Sequence, residues 1–279
     1  MAQQPATILP GVVFLRVTLD PDCDMVKLER VDNGSSSTIG GAVFKHKDEE
    51  LRKIVELTAE TRCDSAHHLA VLSVNGYRNR NNEASKTALS KERISRHVTV
   101  LENILRSGRA YIYKAMYQGE TVGIIALNYL IDPFPTIGPQ PPMASTGEIP
   151  FPYPSDPKAV QSYLMCPEKQ YELKRKLNFQ FNTHIAHYGA GNLLGLNGFG
   201  VKKSFRHYNI GRTLVNLAVS RVPSGKAIIL SAESQHALMY MKMGFGHSKL
   251  DEVHHTIHLK PEWAAQGDCM NFYMLVLEK

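Results

Sequence analysis

The stretch from residue 193 to residue 222 constrains the fold more than any other part of the chain. Residues 193–201, LLGLNGFGV, have the apolar composition of a buried strand, and apolar residues recur at helical spacing over 213–222. A short basic turn that contains glycine, residues 202–212, joins the two. The first N–H groups of a helix lack partners within the helix, and the helix dipole adds partial positive charge there. A strand followed by such a turn and a helix therefore predicts a phosphate-binding site.

Both the turn and the charge distribution around it favour an anionic ligand. Gly211 lets the backbone approach an anion closely, while Arg206 and Arg212 can make charge-assisted contacts. The chain has a net charge of +6, and residues 151–230 hold eleven Lys/Arg against three Asp/Glu. The surplus in this stretch exceeds the whole-chain charge, so the remainder is slightly acidic. A solvated basic helix over 169–176 is the alternative explanation for part of that surplus.

The turn resembles the acyl-CoA-binding motif of the GNAT superfamily of N-acetyltransferases, Arg/Gln-x-x-Gly-x-Gly/Ala after a strand that ends in Val. Here the motif reads RHYNIG, and Val201 ends the strand. Asn209 replaces the usual first glycine, and Asn is the residue that best tolerates a positive φ after glycine. The resemblance implies that coenzyme A is bound by Val201, Arg206, His207, Tyr208, Asn209, Ile210, Gly211 and Arg212.

A second segment of the chain carries the same resemblance. Residues 227–232 have the composition of a buried strand, and the following segment, QHALMYMKMGF, resembles the helix of the family that ends in Tyr-x-x-x-Gly-Phe. Gly244 lies where the end of a helix favours a left-handed residue. The chain departs from the family pattern earlier in that helix, where the family commonly has Asn and Ala. Depending on a one-residue shift of the match, the corresponding residues are Glu233 or Ser234 and His236 or Ala237.

The order of the predicted elements agrees with that resemblance. Strands are predicted over 12–19, 25–31, 111–117, 121–130 and 270–277, and amphipathic helices over 48–62 and 90–105. The resemblance implies an α/β (α+β by some schemes) fold with a mixed, mostly antiparallel central sheet flanked by helices. We expect a flexible N-terminus over 1–11 and a single acyltransferase domain over 12–279.

A proline-rich insertion precedes the proposed cofactor strand. Residues 132–160 contain nine prolines, which exclude a helix or a central strand there. Residues 161–187 are ambiguous. Apolar residues at 177, 179 and 181 alternate as in a strand, whereas those at 177, 181, 185 and 188 recur every three or four residues as in a helix, and we favour the helix. The whole insertion, 132–190, is predicted to shape the acceptor site, and a surface elaboration is the alternative.

The resemblance also implies residues for acyl transfer. Tyr240 matches the tyrosine of the family helix, and a phenol with a pKa near ~10 can protonate a departing thiolate whose conjugate acid has a pKa near ~8.5. A tyrosine that only packs is the alternative. For the oxyanion, the resemblance suggests a backbone N–H near Val201, and Gly198 and Gly200 are compatible with an irregular strand there.

The general base is open, because residues 193–201 contain no Asp, Glu or His. Asn197 could orient a water molecule. The other candidate bases are His184, His187, Glu172 and a carboxylate of the proline-rich segment. Direct attack by an amine that is already neutral is a further possibility.

The remaining signals limit the class of protein. The four cysteines have no C-x-x-C spacing, no apolar run has membrane-spanning length and no signal peptide begins the sequence, so we expect a cytoplasmic protein without membrane contact. His254, His255 and His258 lack a third acidic or thiol ligand, so no metal is expected. No RNP-like, helix-turn-helix or zinc pattern points to nucleic acid.

The predicted activity is transfer of an acetyl group from acetyl-CoA to an amine. Because a cationic acceptor requires an acidic pocket, which the basic segment 151–230 does not offer, protein amino groups are favoured over small amines such as aminoglycosides or polyamines. A CoA-binding regulatory module without turnover is the alternative from another class of protein.

Overall fold

The computed structural model describes residues 8–20, 24–32, 41–63, 98, 101–136, 167–248, 250, 256–258 and 271–279. Its strands are β1 (Val13–Leu19), β2 (Met25–Val31), β3 (Val43–His46), β4 (Ala110–Tyr117), β5 (Glu120–Leu130), β6 (Leu193–Val201), β7 (Ala227–Glu233), β8 (Gly246–His247), β9 (Thr256–His258) and β10 (Asn271–Glu278). Its helices of eight or more residues are α1 (Lys47–Cys63), α2 (Pro167–Tyr188), α3 (Ile210–Arg221) and α4 (Ser234–Met241).

The strands form one sheet in the order β3-β2-β1-β4-β5-β6-β7-β10-β8, and β9 also pairs with β10. Among the described strands, the β6–β7 pair is parallel and the other pairs are antiparallel. The predicted mixed, mostly antiparallel sheet is therefore confirmed. A parallel pair needs a crossover connection, which α3 supplies between β6 and β7.

Helices cover both faces of the sheet. Successive side chains of β5 point to opposite faces and so show which helices cover each face. Ile125 and Leu127 belong to the core under α3 and α4, whereas Ile124 and Ala126 belong to the core under α1. Leu130 lies on the same face as Ile124 and packs in the cluster beneath α2. The sheet thus separates a face covered by α3 and α4 from a face covered by α1 and α2.

Helix α1 crosses the sheet from β3 to β6. Three acidic residues in its first turn complement the helix dipole: Asp48, Glu49 and Glu50. Farther along, it packs closely on β6, since a Cβ added to Gly200 would lie 2.3 Å from the Oγ1 atom of Thr61. Gly200 is therefore required where α1 meets the end of β6.

The ambiguous segment before β6 is a helix from Pro167 onward, as favoured from the sequence, and its residues 161–166 lie outside the described residues. One face of α2 packs on the sheet through Leu177, Phe181, Ile185 and Tyr188, whereas Phe179 is 59% exposed. The alternation of 177, 179 and 181 therefore did not signal a strand.

Polar bonds join α2 to the segment that follows β5. The side chain of Asn182 accepts a hydrogen bond from the N–H of Phe134 at 2.7 Å and donates one to the carbonyl of Phe134 at 2.9 Å. Asn178 donates to the carbonyl of Pro135 at 3.0 Å. The proline-rich insertion therefore begins along α2.

Some expectations are corrected or stay untested. Strand β3 was not predicted, because all four of its residues are exposed and show no alternation. Of the predicted helix 90–105, residues 98 and 101–106 are helical, and the others lie outside the described residues. Residues 1–7 of the expected flexible terminus and 137–160 of the proline-rich segment also lie outside them. No helix in the described part of the chain has the length and apolarity to cross a bilayer.

Candidate active site

The turn before α3 has the left-handed backbone that the sequence implied. Asn209 precedes the first helical residue with φ 56° and ψ 7°, and His207 has φ 79°. A left-handed residue followed by helical ones makes successive backbone N–H groups converge on one concavity, an arrangement that favours anions. Asn209 can replace the glycine of the motif because asparagine tolerates this conformation.

The N-terminus of α3 directs backbone donors out of the helix. The first intrahelical bond joins the N–H of Thr213 to the carbonyl of Asn209 at 3.0 Å. The N–H groups of Ile210, Gly211 and Arg212 precede it and so lack a carbonyl within the helix. No acidic residue occupies this first turn. Donors, dipole and charge thus combine in a site for an anion.

The side chains of the turn differ in what they can contribute. Arg206 is partly buried and its Nε donates to the carbonyl of Val201 at 3.2 Å, so the guanidinium lies across the turn. Arg212 is exposed, with a long 3.5 Å contact to the carbonyl of Lys242. Ile210 is 1% exposed within the core, so only its N–H can reach a ligand. His207 and Tyr208 are exposed.

Gly211 has a packing role that the sequence did not indicate. A Cβ added there would lie 3.0 Å from the ring of Phe199 and 3.5 Å from Val201. The first turn of α3 therefore rests directly against the end of β6. This contact places the helix N-terminus beside the proposed cofactor strand.

Strands β6 and β7 separate in front of this turn. Their parallel pairing covers residues 193–195 of β6, although β6 continues to Val201 and β7 to Glu233. On the other side, the pairing of β6 with β5 shifts so that Asn197 is the extra residue of a bulge. The irregularity expected near Gly198 is therefore present, one residue earlier. Beyond Gly195 no residue of β7 pairs with β6, and the gap between the diverging strands is termed the groove. Amide groups of a ligand could pair with the backbone of β6 there.

Tyr240 lies at this groove. Its ring contacts Phe199 of β6, with centroids 5.8 Å apart, and Phe245, at 5.9 Å. Phe199 is also the residue that contacts Gly211, so the phenol and the turn share a neighbour. The ring of Tyr240 packs, as the alternative reading held, but it does so beside the predicted cofactor site.

The end of α4 follows the predicted C-terminal geometry. Gly244 has φ 99°. The N–H of Phe245 donates to the carbonyl of Tyr240 at 3.2 Å, and the N–H of Gly244 donates to the carbonyl of Met241 at 3.0 Å. These two bonds form a Schellman motif. The motif fixes the helix that carries Tyr240.

The candidate bases occupy different surroundings. Asn197 is exposed at the bulge, and its side-chain amide donates to that of Asn128 on β5. His184 is fully buried, with Nδ1 2.7 Å from the carbonyl of Gln180 and Nε2 2.7 Å from the Oγ of Ser248. Because interior partners occupy both of its nitrogens, this arrangement favours a structural role for His184.

The other named bases are also accounted for. Glu172 forms an ion pair with Lys176 at 3.1 Å along α2. His187 is exposed and packs edge-on against Tyr188. The carboxylates of residues 137–160 lie outside the described residues. None of these observations joins a base to the groove.

One acidic residue at the groove was not singled out as a base from the sequence. Glu233 is 4% exposed at the carboxyl end of β7, directly before α4, and its Oε2 lies 3.6 Å from Nδ1 of His236. Its position, where a parallel strand gives way to a helix, is a common place for ligand contacts. In the sequence it was noted only as a departure from the family pattern.

Within the described residues, no cluster of three or more His, Cys, Asp or Glu side chains could hold a metal ion. His254, His255 and the side chain of His258 lie outside those residues.

Solved structures of acetyltransferases are similar to this chain. A protein of the mosquito Aedes aegypti, assigned as arylalkylamine N-acetyltransferase 7, has 11% identity and a TM-score of 0.47 over 97% of this chain and 98% of its own. The PaiA N-acetyltransferase of Thermoplasma acidophilum, in complex with coenzyme A, has 14% identity and a TM-score of 0.40, covering 83% and 94%. A Desulfovibrio desulfuricans protein assigned to the GNAT family has 12% identity and a TM-score of 0.38, covering 96% and 98%.

No protein-family model and no curated protein matches the sequence. At these low identities and TM-scores, the structural likenesses do not by themselves say what this chain binds or acts on. The strand order, the separation of β6 from β7 and the turn between β6 and α3 nevertheless agree with the sequence motifs. The chain therefore has the fold predicted from its resemblance to the GNAT superfamily.

Proposed function

We propose that this protein is a GNAT-type N-acetyltransferase that moves the acetyl group of acetyl-CoA to an amine. The observation that carries the proposal is the N-terminus of α3, whose first turn lies against Phe199 at the groove between β6 and β7. The diphosphate of coenzyme A suits the N–H groups of 210–212 together with Arg206 and Arg212. The acetyl thioester supplies the activated acyl group of the reaction.

Other groups of the chain bind the pantetheine arm, stabilise the oxyanion and protonate the thiolate. The backbone of β6 beyond Gly195 offers hydrogen-bonding groups for the amides of the pantetheine arm. A backbone N–H near Val201 stabilises the carbonyl oxygen of the acyl group as it gains charge. Tyr240, across the groove, donates its phenolic proton to the departing thiolate.

The acceptor must lose a proton during the reaction. Glu233 is the buried carboxylate at the groove, and a water molecule oriented by Asn197 and Asn128 is the other route. An amine that arrives neutral needs neither. We propose protein or peptide amino groups as acceptors, with small amines as the second candidate, because the basic surroundings of the turn disfavour polycations. We also propose a cytoplasmic location, since the four cysteines show no paired spacing.

One assay tests the proposal directly. Purified protein is incubated with acetyl-CoA and a panel of amines, and free thiol is followed over time. We expect acceptor-dependent thiol release, and we expect Tyr240→Phe to lower kcat by about 100-fold or more, the usual range for a lost proton donor, while coenzyme A still binds. Tyr273→Phe, on β10, is the matched control and should leave kcat unchanged. Unaltered turnover in Tyr240→Phe would remove Tyr240 from the chemistry.

A CoA-binding module without turnover is the second candidate function. Strand β6 contains no Asp, Glu or His, which supports that candidate. Coenzyme A binding without thiol release for any acceptor in the panel would favour it.

A further inference from the structure

A second basic site lies on the α1 face of the sheet. It is a cavity of about 450 Å³ over β1 to β4, bordered by the first turns of α1. Its charged lining consists of Arg30, Lys45, Lys53, Lys114 and Glu50. The lining residues thus carry more positive than negative charge.

The floor of the cavity is a buried ion pair. The side chains of Lys114 and Glu50 are 1% and 4% exposed, and the ammonium group of Lys114 donates to the carboxylate of Glu50. Burial lowers the pKa of Lys114, and the bond to Glu50 opposes that shift. Because Lys114 already engages Glu50, this carboxylate does little to neutralise the cations at the rim.

The cations at the rim differ in the contacts that they make. Lys53 forms an ion pair with Glu49 at 2.6 Å. Arg30 on β2 and Lys45 on β3 are exposed, and neither makes a hydrogen bond or an ion pair within the described part of the chain. Adjacent strands thus present two cations that contact no carboxylate of the described residues, and the carboxylate of Glu49 acts on Lys45 only at longer range. A bound anion would stabilise this arrangement.

The uncharged lining indicates the rest of the ligand. Leu15, Leu28, Val43 and Met116 form apolar walls between the floor and the rim. Such walls favour a ligand that carries its anionic group on an apolar body.

The position of the cavity relates it to the end of β6. Thr121 belongs to its lining, and the carbonyl of the next residue, Val122, accepts the N–H of Lys202 at 2.9 Å. In the register of the sheet, Lys114 on β4 lies opposite Ile124 on β5, and Ile124 lies opposite Gly200 on β6. Neighbouring strands lie about 4.8 Å apart, so Lys114 and Gly200 are separated by roughly 10 Å across the sheet. That distance is within the length of one small molecule or a short peptide, which would pass beside α1, because Ile124 is buried beneath this helix.

We infer that this cavity holds the anionic end of the acceptor, so that the preferred acceptors are amines that carry a carboxylate on an apolar spacer. This inference rests on the proposed transferase function and adds the substrate class. A polyamine or an aminoglycoside would bring positive charge to Arg30 and Lys45 and would be repelled. The acceptor's amine would reach the end of β6 along the side of α1 on which Thr121 lies.

Three amines of matched length test the inference: aminohexanoate, hexylamine and diaminohexane, which differ only at the far end of the chain. Binding of coenzyme A is measured first by calorimetry, and the kcat and KM of each amine are then measured with acetyl-CoA. We expect kcat/KM for aminohexanoate to exceed that of either other amine by about tenfold or more, as expected for a gained hydrogen bond between charged groups. The advantage should shrink as salt is added.

Variants then locate the effect. Arg30→Ala combined with Lys45→Ala removes two exposed side chains and should raise KM for aminohexanoate about tenfold. It should leave kcat, the values for hexylamine and the Kd of coenzyme A unchanged. Lys27→Ala is the matched control, because Lys27 lies on β2 and is not part of the cavity lining.

The possible failures are distinguishable. If coenzyme A binds and the three amines release thiol with equal kcat/KM, the cavity inference is wrong and the transferase proposal stands. If the double variant impairs hexylamine as much as aminohexanoate, the two cations have a structural role and the inference is also wrong. If coenzyme A does not bind and no amine releases thiol, both proposals fall together.

Discussion

The two basic regions of this protein are proposed to bind anions by different means. The turn before α3 relies on backbone N–H groups at a helix end, with Arg206 and Arg212 close by in the sequence. The cavity on the α1 face relies on side chains alone, from Arg30 on β2 to Lys114 on β4. The first region is local and was visible as a motif and a charge surplus. The second is assembled from separate elements within the part of the chain whose net charge is slightly acidic.

That difference shows that the charge of a site depends on which side chains the fold brings together, and not on the net charge of one stretch of sequence. The basic turn alone suggested that the acceptor should not be a polycation. The cavity leads to the same conclusion from an independent set of side chains, since the sheet brings β2, β3 and β4 to one place. The following substitutions probe each region separately.

The largest expected effect concerns the floor of the cavity. Lys114→Met should lower the free energy of unfolding by about 3–5 kcal/mol, because it leaves the carboxylate of Glu50 buried without its partner. Combining Lys114→Met with Glu50→Leu should recover most of that loss, since an apolar pair replaces the ion pair. Chemical denaturation of the two variants measures both values. A single variant as stable as the parent protein would contradict the burial of this pair.

A smaller effect is expected where α3 meets β6. Gly211→Ala places a methyl group about 3.0 Å from the ring of Phe199, and overpacking of this kind costs about 1–3 kcal/mol of stability. Because the helix N-terminus must shift, coenzyme A should also bind more weakly. Gly41→Ala, where no atom of the described residues lies within 4 Å, is the control and should change stability by less than about 0.5 kcal/mol. Equal stability of both variants would show that α3 is not in close contact with β6.

The smallest effect lies outside both basic regions, on α2. Burial and a hydrogen bond to Glu278 raise the pKa of Tyr188 to about 12 from the usual 10.0. A raised folded-state pKa contributes stability that is complete below about pH 10 and is lost as the pH rises towards 12. Tyr188→Phe should therefore flatten the decline of stability over that range, as denaturation at a series of alkaline pH values would show. An unchanged profile would exclude Tyr188 as the cause.

The sequence predicted the local elements of the fold well, because their signals are periodic. The hairpin predicted over 111–117 and 121–130 is observed as β4 and β5, and the helix predicted over 48–62 is α1. The alternation of apolar residues and the acidic first turn of α1 carry this information within a few residues. Strand β3 was missed, since exposed side chains on both of its faces leave no periodic pattern.

Non-local features of the site were harder to predict. The turn at 206–211 could be found because its chemistry depends on neighbouring residues, including Asn209, one of its two left-handed positions. The buried carboxylate of Glu233 and the amide pair of Asn128 and Asn197 depend on strand register, which the sequence does not state. His184 was named as a possible base, yet its neighbours Gln180 and Ser248 enclose it, and burial of that kind depends on the packing of α2.

The central claim is that the turn before α3 binds the diphosphate of coenzyme A. Calorimetric titration of coenzyme A into the parent protein and into Arg206→Ala tests it most directly. We predict saturable binding by the parent protein that weakens with added salt, and a Kd about tenfold or more higher in Arg206→Ala, because a charge-assisted hydrogen bond is lost. No heat of binding to the parent protein, or the same Kd in both proteins, would contradict the account.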